Sequence, residues 1–190
     1  MKLKTKILFL SAAAFLSACA TGPVLAPSGA FVAEPFTLNL NQNWSAFKRK
    51  SEGVQGAALT REGLDLNMLA VYMIEEGHDL KAGKGGTQEE VDYKSGMSQL
   101  ELVEFATASL ASLDMKNIEV SSVETTTFAG EDGVGFDFQG FYELGLAAKG
   151  IMRVSETDMG LAMGIYVAPT RVYYDRDAEE ARRALTSARL

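Results

Sequence analysis

His78 is the single histidine of the chain, and it sits beside Glu75, Glu76 and Asp79. An imidazole titrates near neutrality and can serve as a general base or a metal ligand. One histidine and one cysteine exclude a two-histidine metal site, and Cys19 has another use, argued below. A Ser–His–Asp relay remains formally open, but no G-x-S-x-G motif supports it. His78 is therefore expected to be a solvated loop residue and, at most, a contact for a partner or ligand. The Gly- and Lys-rich stretch 77–86 imitates a phosphate loop. Its Gly83-Lys84 pair lacks a following Ser or Thr, and the spacing from Gly77 is one residue too long. Acids pair at Glu75/Glu76, Glu89/Glu90, Glu131/Asp132 and Glu179/Glu180. Adjacent acids in turns and at a helix start do not place two carboxyls across a cleft, as glycoside hydrolysis requires. No EF-hand spacing occurs. No catalytic set, metal site or cofactor is expected.

Aromatic residues crowd the C-terminal half, at Phe128, Phe136, Phe138, Phe141, Tyr142, Tyr166, Tyr173 and Tyr174. Most belong to a sheet core. Phe141 is out of phase with Phe136 and Phe138, and Tyr173-Tyr174 precedes a helix. Phe141, Tyr173 and Tyr174 are thus the candidate surface contacts for a partner or an apolar ligand. Trp44 is expected to be a packing anchor.

The elements that must carry these residues follow from periodicity. Phe36, Leu38 and Leu40 alternate with Thr37 and Asn39, a half-buried strand. A second short strand is expected over 56–60, and a long one over 64–74, apolar on both faces and so covered on both. Residues 75–96 break the pattern and read as a long surface loop, a kind that either carries function or moves. Ser98-Gln99-Leu100-Glu101 has the form of a capping box, opening a helix to about 115 with Leu102, Phe105, Ala106, Ser109, Leu110 and Leu113 on its buried stripe. Strands are expected over 118–128, 134–142, 148–155 and 161–167, ending at Pro169. Asp175 is expected to cap a last helix over 176–188, with Ala178, Ala181 and Leu185 facing the sheet. The fold class is α+β, a mostly antiparallel sheet covered by two helices. This element order resembles the PsbP-like fold. That resemblance brings no site residues with it and implies a binding or accessory module.

The N-terminus supplies an address. Lys2, Lys4 and Lys6 precede an apolar stretch of about ten residues, too short to cross a hydrocarbon core that needs roughly 20, and then come small residues: a secretory signal. Leu16-Ser17-Ala18-Cys19 resembles the lipobox of bacterial lipoproteins, and the C-terminal half resembles small Gram-negative lipoproteins. The resemblance implies removal of 1–18 and attachment of diacylglyceryl and further acyl groups, such as palmitate, to Cys19. Ala20 in place of aspartate favours the outer membrane over the inner. Residues 19–34 are expected to be a flexible tether and 35–190 a single domain. Losing three lysines and no acid takes the formal charge from −7 to −10. An acidic surface argues against nucleic acid and against electrostatic docking on anionic lipid.

Taken together, these readings describe a lipid-anchored, periplasm-facing binding or accessory module with an envelope protein partner, rather than an enzyme. The alternatives are an envelope hydrolase with a site near the 75–96 loop and a carrier of an apolar ligand.

Overall fold

The computed structural model describes residues 22–80, 91–142 and 144–190. The expected signal segment 1–18, Cys19 and the middle of the long loop lie outside them. Eight strands form one antiparallel sheet in the order β1-β4-β5-β6-β10-β9-β8-β7. They are β1 (Val24–Ala26), β4 (Trp44–Ser51), β5 (Val54–Thr60), β6 (Met68–Ile74), β7 (Met115–Phe128), β8 (Glu131–Tyr142), β9 (Ala147–Thr157) and β10 (Gly160–Pro169). A hairpin of β2 (Gly29–Ala33) and β3 (Phe36–Leu40) stands apart. Helix α1 (Gln99–Ala111) joins β6 to β7, and α2 (Asp175–Thr186) closes the chain. The molecule is α+β, as the sequence predicts, but six strands precede α1 rather than two or three.

The sheet is buried on both faces by a period of two. In β10, Leu161, Met163, Ile165 and Val167 face α1, while Ala162, Tyr166 and Ala168 face α2 and the β2–β3 hairpin. Every residue of β6 is buried, which explains why no polar alternation marks it. The expected start of this strand at 64 is too early. Residues 64–66 turn instead, held by Leu66 N–H and Asn67 N–H donating to the Gly63 carbonyl at 2.9 and 3.1 Å.

Two expectations need correction at the N-terminal side. Residues 24–33, read as tether, form β1 and β2. Their lack of charge reflects burial of Ala26, Phe31 and Ala33 against Phe36, Leu38 and Trp44, not looseness. β4 was not foreseen, because Lys48, Arg49 and Lys50 interrupt its apolar alternation where the strand passes beyond β1.

Helix α1 begins as expected. Ser98 Oγ accepts from Glu101 N–H at 3.3 Å, and Ser98 N–H donates to Glu101 Oε2 at 2.7 Å. Of the predicted stripe, Leu102, Phe105, Ala106, Ser109 and Leu110 are buried, while Leu113 is half-buried beyond the helix, which ends at Ala111 rather than near 115. Helix α2 begins differently. A five-residue π-helical turn, Thr170–Tyr174, leads straight into it, and Tyr174 is already helical at φ −62°, ψ −54°. No free row of amides remains at Asp175, so Asp175 does not act as the cap. After α2, Arg189 bridges Thr37 of β3 through backbone bonds of 2.8 and 3.1 Å, fixing the C-terminus on the hairpin.

Candidate functional site

The ends of the long loop are built into the fold. Gly77 N–H donates to the Tyr93 carbonyl at 2.9 Å and Tyr93 N–H to the His78 carbonyl at 2.8 Å. Leu80 and Tyr93 are buried under α1, Tyr93 edge-on to Phe105 at 6.2 Å. One carboxylate oxygen, Glu156 Oε1, accepts from the Tyr93 hydroxyl at 3.0 Å and from the amides of Gly96 and Met97 at 2.9 and 3.3 Å. The expected open surface loop therefore has two clamped feet, and 81–90 lie outside the described residues.

Between these feet and the β4–β5 turn lies an open cleft of about 350 Å³, lined in part by Arg49, Ser51, Glu52, His78, Asp79 and Asp92. His78 is half-buried rather than solvated. Its ring lies so close over Gly53 that a β-carbon there would sit 2.0 Å from the ring. Gly53, at φ +66°, meets both demands of this turn, a left-handed backbone and room for the imidazole. The His78 Nδ1 lies 3.2 Å from the Glu76 carbonyl. The nearby Ser51 hydroxyl donates to the Val54 carbonyl at 3.3 Å and is not paired with His78. Among the described residues no three His, Cys, Asp or Glu side chains form a metal-holding group.

Burial pushes the Tyr93 phenol up to about 12, reinforced by the hydrogen bond to Glu156 and its negative charge. A raised folded value means the contribution is complete below the ordinary phenol value of 10.0 and is lost as pH rises through about 12. Urea titrations from pH 9 to 12 should show that loss. Tyr93→Phe should cost about 1 kcal/mol at pH 7 yet flatten the alkaline decline. Tyr142, also raised to about 12 by burial and then by the charge of Asp65, keeps a residual slope. An unchanged slope in the variant would exclude Tyr93 as its source.

The aromatic candidates separate. Phe141 is 44% exposed, and with it Leu144 at 97% and Leu146 at 49% form an apolar end at the β8–β9 turn. The Thr170 hydroxyl donates to the Ala147 carbonyl at 2.9 Å, which brings the π-turn and its exposed Val172 to the same end. Tyr173 and Tyr174 are half-buried. The Tyr174 ring packs on Tyr166 at 5.9 Å, the Tyr173 carbonyl accepts from the Tyr166 hydroxyl at 3.1 Å, and the Arg176 guanidinium lies 5.3 Å over the Tyr173 ring.

The sequence reading missed a buried ionic cluster. Asp177 of α2 is 0% exposed. Its Oδ1 accepts from Arg61 Nη1 at 2.7 Å and Arg176 Nε at 3.0 Å, and its Oδ2 from Asn67 Nδ2 at 2.9 Å and Arg176 Nη2 at 2.5 Å. Asn67, itself buried, accepts from the Thr60 hydroxyl at 2.7 Å and donates to Glu62 Oε2 at 2.7 Å. Both oxygens of Asp177 are occupied twice over, so the cluster fastens α2 to the β5–β6 turn and offers no lone pair to a substrate.

A second slot holds Arg153, which crosses Gly135 to reach Glu124 Oε1 at 3.2 Å. A β-carbon at Gly135 would lie 1.8 Å from the guanidinium, so glycine is required there by close approach.

No family model and no curated protein matches the sequence. Among solved structures, the chain is similar to the crystal structure of LpqN, involved in cell envelope biogenesis of Mycobacterium tuberculosis, at 9% identity and a TM-score of 0.37, over 91% of this chain and 86% of that one.

Proposed function

We propose that the mature chain is a non-enzymatic binding or accessory module of the cell envelope, held to the outer membrane by lipid on Cys19 and facing the periplasm. The observation that carries this reading is the order of the first nineteen residues: three lysines, an apolar stretch, then Leu16-Ser17-Ala18-Cys19. The structure adds a constraint. β1 starts at Val24, and the five residue steps from Cys19 span at most roughly 18 Å. The body is therefore tethered close to the bilayer rather than far above it. The apolar end at Phe141, Leu144 and Leu146 is the surface offered to an envelope protein partner. The test is the intact mass of protein extracted in detergent from its host, beside a Cys19→Ser control. A mass of residues 19–190 plus acyl groups, absent from the control, is the expected result. An unmodified mass, or retention of residues 1–18, would overturn the reading.

A further inference from the structure

β1 covers only part of β4. Its register, Val24 on Ala46 and Ala26 on Trp44, means that among the described residues β1 does not run alongside the end of β4 that carries Lys48 and Lys50, the end from which the chain enters β1. The side chains along this edge are unusual for an acidic protein. Leu25 is 67% exposed, Val24 45% and Phe47 37%. Lys48 and Lys50 are exposed, and neither forms an ion pair among the described residues. Alternation puts Leu25 and Phe47 toward the α1 face and Val24, Lys48 and Lys50 toward the hairpin face. An edge presented to a surface can thus bring both sets to it. Arg49 lies 5.6 Å over the Tyr72 ring and belongs to the packing beneath.

We infer that the β1–β4 edge is a membrane-contact surface that lies against anionic phospholipid headgroups, with Leu25 and Phe47 at the acyl boundary and Lys48 and Lys50 among the phosphates. The inference rests on the lipid anchor proposed above, because the short reach from Cys19 to Val24 is what brings this edge to the bilayer. Charge and apolarity then complement the surface: lysines extend their heads to phosphates while their stems cover apolar area. The net acidity of the whole chain acts weakly here, since electrostatic interaction falls off within a Debye length of about 10 Å; the nearby acids Glu52, Asp79 and Asp92 gather at the cleft past Ser51, at the end of β4 away from Leu25. Edge lysines also discourage strand pairing between molecules, but that role has no dependence on lipid charge.

The experiment uses the native lipidated protein, reconstituted into vesicles of phosphatidylcholine alone or with one quarter phosphatidylglycerol, and pulsed with an acetylating ester. Peptide mass spectrometry reads the modification of Lys48 and Lys50. Both should react at least about five-fold more slowly on the anionic vesicles, the factor that matches the usual attraction of one lysine for an anionic leaflet. The difference should vanish in about 0.5 M salt, where the Debye length shrinks to a few Å. Rates equal on the two vesicles within about two-fold would overturn the inference while leaving the anchor intact. Lack of lipid in the intact mass of the same sample would instead remove the anchor, and the inference with it.

Discussion

Asp177→Ala is expected to destabilise the protein by about 3–5 kcal/mol at pH 7, the cost of removing one member of a buried charge cluster. The variant leaves the Arg61 guanidinium without its Asp177 partner, leaves Arg176 with Glu62 alone at 2.8 Å, and strips one of two partners from the buried Asn67 amide. For a chain of this length the loss corresponds to a fall in Tm on the order of 10 °C. Arg176→Met should cost less, about 1 kcal/mol, because Asp177 keeps Arg61 and Asn67 and because Arg176 is partly exposed. Thermal and urea unfolding by circular dichroism give both numbers. A loss under about 1 kcal/mol for Asp177→Ala would mean that water replaces the carboxylate at no cost. The pH dependence supplies a second check. Burial alone would raise the Asp177 carboxyl, but the hydrogen bonds from Arg176 and Asn67 and the charges of Arg176 and Arg61 outweigh it and hold it below its ordinary 3.8. A depressed folded value means the stabilisation is full above the ordinary carboxylate range and is lost as pH falls through the lower folded value. The gap between wild type and Asp177→Ala should therefore be constant at neutral pH and close in acid.

This cluster also marks the boundary of what local sequence can say. Asp177 and its partners Arg61 and Asn67 are separated by 116 and 110 residues. Asp177 by itself looks like one more acid in the first turn of a helix. Its burial is created by the sheet that brings the β5–β6 turn under α2. The clamp at Tyr93 is hidden for the same reason, since Glu156 and Phe105 reach it from other elements. Features that depend on neighbours in sequence were legible: the Ser98–Glu101 capping box, the stripe of α1, and the alternation of Phe136 and Phe138 in β8. β4 fell between these cases. Its inner half obeys the alternation, with Trp44 and Ala46 buried, and its outer half carries the charges of an edge strand. Of the candidate contacts, Phe141 emerged exposed because its phase was readable. Tyr173 and Tyr174 were drawn inward by Tyr166, which no local pattern announces.

Trp44 offers the second large effect, and its two replacements separate volume from polarity. The side chain is 1% exposed and stands where β1, β4 and the β2–β3 hairpin meet. Trp44→Ala should cost about 3–5 kcal/mol, the transfer term plus the cavity that rigid strands cannot close. Trp44→Phe should cost far less, about 1–2 kcal/mol. It keeps most of the ring, and it removes an indole N–H that is buried without a hydrogen-bond partner among the described residues. An unpaired buried donor carries a desolvation penalty, and removing it offsets part of the lost packing. Trp44 is the only tryptophan, so unfolding of both variants must be followed by far-UV circular dichroism. Equal losses would mean that the indole nitrogen is satisfied by water and that the site is less dry than its burial implies. A large gap between the two would show that this corner is held by apolar volume alone, and that the first strand, the piece nearest the proposed anchor, docks by filling that volume.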